Sequence, residues 1–229
     1  MPTSNYTFDP LDLARTALIV VDLQNFFMQP GSPFEMPAAC KIVPNVNSLL
    51  GAVRSAGGLA VFLRHTIDDA GPWPMPAWQY KDPVMRQTLA KGLAAGSEGH
   101  TLSPLLDVQP SDLRLNKCRP SAFVPGSSDL HEHLKARNID TLIVTGCATN
   151  VCCESTARDA QMMDYKVLFV ADGTAAPSEE LHNASLLTLR YSFAEVIETR
   201  EVLERIDRAA RASPTNLAAL NVNLEHREI

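Results

Sequence analysis

No stretch of this chain is apolar over the roughly 20 residues that a membrane-spanning helix needs. The opening residues, MPTSNYTFDP, carry neither the basic nor the apolar region of a secretory signal. Clusters of Lys and Arg are missing too, and 20 basic against 26 acidic residues leave a net charge of −6. That balance offers no electrostatic footprint for nucleic acid. Cysteines are few: Cys40, Cys118, Cys147, Cys152 and Cys153. Their odd number and irregular spacing predict free thiols in a reducing compartment, not a disulfide framework. Neighbouring Cα atoms lie about 3.8 Å apart, below the usual disulfide range of about 4.4–6.8 Å, so Cys152 and Cys153 are not expected to bridge. There is no Cys-x-x-Cys and no His pair at helical metal spacing, so neither metal nor cofactor is expected. Repeats and low-complexity segments are also missing. These absences predict a soluble, cytoplasmic protein with neither nucleic acid nor membrane as partner.

What is present is a chain of 229 residues, 45% hydrophobic, long enough to bury a sizeable core. One domain is expected over 1–229, with its core over about 12–206. An N-terminal arm and a polar, weakly patterned tail (213–229) either pack on another subunit or fray. TALIVVDL (16–23) reads as a fully buried strand ending in a carboxylate, and LAVFLRH (59–65) as a second strand. Between them, Val46, Leu49, Leu50 and Val53 recur at helical spacing before Gly57-Gly58. Residues 66–112, rich in Pro, Gly and aromatics, read as a long loop of functional or interface type. DLRLNK (112–117) follows as a short strand and SDLHEHLKARN (128–138) as a capped helix. TLIVTG (141–146), KVLFVAD (166–172) and AEVIET (194–199) complete the strands. Helices are expected over 151–165, over 178–192 from an N-cap at Ser178, and over 200–212.

Apolar strands alternating with helices predict an α/β fold: a three-layer α/β/α architecture around a mostly parallel, doubly wound, Rossmann-like sheet. Ligands of such sheets bind outside the carboxyl ends of the strands. Asp22, Lys117 and the cysteine pair all fall at those ends. Cys152 is expected in the first turn of a helix, with Asn150 as N-cap, where free N–H groups and the helix dipole lower a thiol pKa. Lys117 would add positive charge, Asp22 would accept the thiol proton, and the N–H groups of the turn would hold an oxyanion. Taken singly, each residue has a plainer role: a strand-end cap, a solvated lysine, a small buried thiol. Their joint placement at one sheet edge suggests an acyl-transfer site. Successive helical residues point about 100° apart, so only one of the two sulfurs faces the cleft; first-turn position leans towards Cys152 without deciding it.

The segments ALIVVDLQNFF, KCRPSAF, GCATNVCCESTARDA and VLFVADGTAA resemble, in order, the isochorismatase-like cysteine hydrolases over roughly residues 12–206. The wording ATNVCCESTARDA looks nearest to the ureidoacrylate and N-carbamoyl amidohydrolase branch. The resemblance implies an Asp–Lys–Cys triad falling on Asp22, Lys117 and Cys152, with Cys153 in a Val-like site. It also implies a cis peptide at Cys147–Ala148 and an oxyanion hole from the backbone N–H groups of Ala148 and Cys152. The implied reaction is hydrolysis of a small amide, ureido or N-carbamoyl C–N bond through a covalent Cys152 intermediate, in a homodimer or homotetramer. Nicotinamidases of this family carry an Asp-x-His metal site after the second strand. Here the text is FLRHTIDDAG, so metal-dependent nicotinamidase activity is not expected, and His65 reads as a packed or solvated strand-end residue. Isochorismatases proper cleave a vinyl ether without a cysteine nucleophile, and the intact Cys152 argues against that reaction.

Candidate substrate contacts are Gln24, Asn25 and Phe27 beside Asp22, Phe123 in the family-like SAF, and Trp78, Tyr80 and Tyr191. Arg119 reads as solvated in preference to carboxylate-binding. Rival readings are nicotinamidase-like or maleamate- and biuret-type hydrolysis, a non-catalytic binding protein, or a thiol redox sensor built on the cysteine pair.

Overall fold

A computed structural model describes residues 7–68, 71, 73–74, 79 and 81–212. The strands are β1 (Thr16–Val21), β2 (Leu59–His65), β3 (Leu113–Lys117), β4 (Thr141–Cys147), β5 (Lys166–Ala175) and β6 (Glu195–Ile197). The helices are α1 (Asn25–Met28), α2 (Pro37–Lys41), α3 (Val43–Ser55), α4 (Pro83–Leu93), α5 (Leu130–Lys135), α6 (Glu154–Met162), α7 (Glu179–Ser192) and α8 (Thr199–Ala212). All six strands run parallel in the order β3-β2-β1-β4-β5-β6. Chain order reverses between β1 and β4, so the crevice at their carboxyl ends is where an open α/β sheet takes its ligand.

The apolar strands are apolar because both faces are covered. Along β1, Leu18 and Val20 point to one face with Phe62, Val46, Leu49, Leu50 and Val202. Ala17, Ile19 and Val21 point to the other, with Leu130, Leu134, Ala157, Ala160 and Leu189. Each such buried side chain contributes about 1.5–3 kcal/mol, and the period-two alternation fixes the register, since a one-residue slip would exchange the two faces. Val21 lies beside Leu63 on β2 and Gly146 on β4, which aligns three strand ends. Gly146 is required there: its φ is +111°, and a Cβ would stand 2.1 Å from the Val21 carbonyl oxygen.

Residues 66–112, expected as a loop, hold helix α4. Its start is a standard one, with Pro83 at the first turn and the Asp82 side chain accepting from the Val84 N–H. The helical spacing of Met85, Leu89 and Leu93 was the available signal, diluted by the polar Arg86, Gln87 and Lys91. Leu89 and Leu93 join Phe26, Ile67 and Trp73 in a third apolar cluster, set over the carboxyl edge of the sheet. The chain beyond α4 is also tied down: Thr101 and Gly99 carbonyls accept from the Asn25 and Phe26 N–H groups, and Ser103 N–H donates to Leu23. No helix among the described residues is long and apolar enough to cross a membrane. The expected tail, 213–229, lies outside the described residues, as does most of the N-terminal arm.

Candidate active site

Asp22, one residue past β1, adopts a φ of +51°, a left-handed conformation that Asp tolerates better than most residues. This turn ends the strand and aims the carboxylate over the neighbouring strand ends, and the Cys147 thiol donates to the Asp22 carbonyl at 3.2 Å. Lys117 ends β3, two strands away, which at about 4.8 Å per strand leaves roughly 10 Å to cross. Its side chain spans that gap over the end of β2, where His65 is its register partner. The ammonium arrives 2.8 Å from Asp22 Oδ2 and 3.0 Å from His65 Nδ1, and donates to the Arg119 carbonyl at 3.1 Å.

The pair is dry, with Asp22 and Lys117 each 1% exposed. Burial raises the Asp22 carboxyl above its ordinary range, although the Lys117 charge pulls it back. Burial draws the Lys117 ammonium down, but the charges of Asp22 and Cys152 outweigh it and hold the amine above its usual value. His65 is held well below its usual value by burial, then by the charges of Lys117 and His100, so its ring is neutral. An ammonium can only donate, so Nδ1 is the acceptor and the ring proton sits on Nε2.

Between β4 and α6 the chain forms a π-type turn, Thr149–Cys153, closed by the Cys153 N–H on the Ala148 carbonyl at 3.1 Å. Asn150 is therefore not the N-cap: it lies inside the turn, and Ala148 takes the cap position. The turn separates the two sulfurs. Cys152 lines the cavity above the Asp22 carboxylate, while Cys153 is fully buried, its sulfur 3.8 Å from the Thr145 carbonyl. The sulfur of Cys152, a carboxylate oxygen of Asp22 and a ring nitrogen of His65 lie within 4.8 Å of one another. Those three donors resemble a metal cradle, but the Lys117 ammonium already stands 2.8 Å from the carboxylate and 3.0 Å from the ring nitrogen. Contrary to expectation, the Cys152 thiol is not acidified. Burial pushes it up to about 12, and the opposing pull of Lys117 is itself opposed by the charge of Asp22.

Above the sulfur is a cavity of about 420 Å³ with an apolar wall that includes Phe27, Phe34, Met36, Ile67, Met85 and Leu89. Ala148 lines it as well, and the Cys147–Ala148 peptide is cis. Of the expected substrate contacts within the described residues, Phe27 alone reaches this cavity. Gln24 is spent on the fold: its amide donates to the His65 and His100 carbonyls and accepts from the His65 N–H at 2.7 Å. Asn25 donates to the Glu98 carbonyl. Phe123 packs against Tyr165 with ring centroids 5.4 Å apart, and Tyr191 lies exposed on α7. Trp78 and Tyr80 fall outside the described residues. Arg119, expected to be solvated, is half-buried and donates to the Trp73 carbonyl. Sequence reasoning read His65 as packed or solvated without placing it against Lys117, and it missed the wall from α4; parallel pairing of β2 with β3 was the unseen cause of the first.

A family model described as "Isochorismatase domain" matches residues 16–201. Ureidoacrylate amidohydrolase RutB of Caulobacter vibrioides is 34% identical over 208 residues, covering 84% of this chain and 91% of that protein. The same-named protein of Methylobacterium radiotolerans is 33% identical over 201 residues, covering 81% of this chain and 77% of that one. Among solved structures, a cysteine hydrolase from Pseudomonas syringae pv. phaseolicola superposes with a TM-score of 0.81 at 31% identity, covering 91% of this chain and 99% of that chain. An isochorismatase-like hydrolase from Alkaliphilus metalliredigens gives 0.68 at 28% identity, covering 83% and 98%.

Proposed function

Since the chain belongs to the isochorismatase family and is a hydrolase of C–N bonds, we propose that it is a cysteine amidohydrolase whose nucleophile is Cys152. The observation that carries this reading is the cavity-facing thiol beside a buried carboxylate, itself paired with an ammonium at 2.8 Å. Its substrate has a small amide, ureido or N-carbamoyl group.

The resting state is a neutral thiol beside the carboxylate of Asp22. A thiol this weakly acidic does not attack as a preformed thiolate, so Asp22 takes its proton as sulfur bonds to the substrate carbonyl carbon. The carbonyl oxygen becomes an oxyanion, received by the N–H groups of Ala148 and Cys152. The C–N bond then breaks, and Asp22 returns the proton to the leaving ammonia or amine. A thioester remains from an amide, or a thiocarbamate from a ureido group. Water, losing a proton to Asp22, attacks that carbonyl; the C–S bond breaks, and Asp22 passes the proton to the departing Cys152 sulfur. Throughout, Lys117 keeps Asp22 ionised between proton transfers, while the neutral His65 holds Lys117 without competing for its charge.

Quenching the enzyme in acid during turnover of a small amide, followed by mass spectrometry of its peptides, tests the reading. The acyl mass is expected on Cys152, and Asp22→Asn is expected to prevent it. An adduct on Cys40 or Cys118, or fast ammonia release with no dependence on Cys152, would overturn the assignment.

A further inference from the structure

We infer that Ser185, with His182 one turn before it on α7, is a positioning residue for Cys152: the two side chains grip both ends of the π-type turn that carries the sulfur. The inference rests on the amidohydrolase reading above and adds how the nucleophile is kept on target. Ser185 is 4% exposed and does not line the cavity. Its hydroxyl oxygen lies 2.5 Å from Glu154 Oε2 and 3.3 Å from the Thr149 carbonyl oxygen. Thr149 is the first residue of the turn and Glu154 follows its last, so one hydroxyl brackets all five residues. A serine hydroxyl has a single proton to give. The shorter contact has the length of a charge-assisted O–H···O⁻ bond, so the proton goes to Glu154 and the Thr149 contact is the weaker. His182 completes the grip at that end, its Nδ1 standing 2.9 Å from Thr149 Oγ1.

The grip is itself held firmly. Glu154 Oε1 accepts from Arg158 Nε at 2.9 Å and Nη2 at 2.6 Å, and that guanidinium lies over the Phe193 ring, 4.1 Å from its centroid. Leu189, one turn past Ser185, is fully buried and anchors α7 in the core. The turn's own bonds join neighbours only: the Ala148 carbonyl accepts from the Val151 and Cys153 N–H groups, and the Thr149 carbonyl from the Glu154 N–H. Such bonds set the shape of a π-type turn, a form concentrated at functional sites. They do not set its orientation towards Asp22, which belongs to another strand. A reacting atom misplaced by about 1 Å costs on the order of 100-fold in rate, and α7 supplies the orientation from a core-anchored helix.

Ammonia release from a small amide by the full-length enzyme tests this. Ser185→Ala should lower kcat by about 10- to 100-fold with KM within about 3-fold, and Tm by only about 2–6 °C. Ser185→Thr, which keeps the hydroxyl, should recover most of the loss. Leu134→Val, a buried change on α5 that leaves the hydroxyl in place, should lower Tm comparably and keep kcat within about 3-fold. Iodoacetamide gives a readout without turnover: Ser185→Ala should slow alkylation of Cys152 by about 10-fold and leave that of Cys40 unchanged. If Ser185→Ala does not fold, His182→Ala repeats the test from a half-buried position, with kcat expected to fall about 5-fold. An unchanged kcat, a loss confined to KM, no recovery in Ser185→Thr, or an equal loss in Leu134→Val would overturn the inference. Wild-type hydrolysis through Cys152 that is indifferent to Ser185 would do so while leaving the amidohydrolase reading intact. No hydrolysis of any amide by the wild type, with Cys152 alkylation still slowed by Ser185→Ala, would sink that reading and sustain the positioning role.

Discussion

Beneath the cavity, polar groups are buried: Asp22 and Lys117 at 1% exposure, His65 at 5%, Gln24 at 0% with its amide on both sides of a strand end. Above it, the cap is apolar and looser: Leu89 and Ile67 are buried, but Met85 is 44% exposed and Phe34 36%. The two regions meet at one sulfur and obey different constraints. In the lower one, each group's charge state depends on the ends of several strands, so a single change propagates through the pair and its neighbours. In the upper one, contacts are non-directional and substitutable. Under the amidohydrolase reading proposed above, the chemistry belongs to the edge and contact with the rest of the substrate to the cap.

Substitutions can break that division. Cys152→Ala should cost about 10⁴-fold or more in ammonia release for every substrate, since the covalent step is lost; a substrate-dependent loss would mean the edge also selects. Gly146→Ala should destabilise by about 3 kcal/mol, through backbone strain and the clash with Val21, read as a fall of about 6–12 °C in Tm. An unchanged Tm would deny that the β1–β4 approach positions the edge. For pH, the raised Asp22 carboxyl stays protonated further up the scale and only its ionised form accepts the thiol proton. So kcat/KM should climb through an apparent pKa above the ordinary carboxylate value of about 3.9. It should then stay level through pH 8–9, because burial pushes the Cys152 thiol up to about 12; a rise centred near 8.5 would indicate a preformed thiolate. Leu89→Ala should raise KM for an apolar amide by about 10-fold with kcat nearly unchanged; a fall in kcat alone would place the cap in the chemistry. Smallest of all, Cys153→Val should alter activity by no more than about 3-fold, as expected for a volume-conserving change in a packed site.

Much of the edge was legible in the chain because its signals are local. The apolar runs of β1, β2 and β4 mark strands covered on both faces; Asp22 follows the first of them, Lys117 ends the short β3, and Cys152 lies in the turn after β4. The cap was not legible, because α4 shows the core only two buried side chains, Leu89 and Leu93, and its helical period is faint among polar residues. Gln24 was misread for a related reason: adjacency to Asp22 in sequence says nothing about the direction of its amide, which the β2 end captures. The Asn150 cap failed because the π-type turn takes the cap position back to Ala148, a choice made by packing and not by propensity.

Residue order alone determined the alternation of strands and helices, the parallel sheet and the strand-end location of the reactive groups, since burial on two faces and turn chemistry are written in the nearest neighbours. Tertiary structure decided which partners surround those groups and which side chains line the cavity. Only the sheet order brings Lys117 across His65 to Asp22, full burial pushes the Cys152 thiol up, and the packing of α4 adds Met85, Leu89 and Leu93 to the cavity wall. Those properties depend on the dielectric and on partners far away in sequence, which no local pattern encodes.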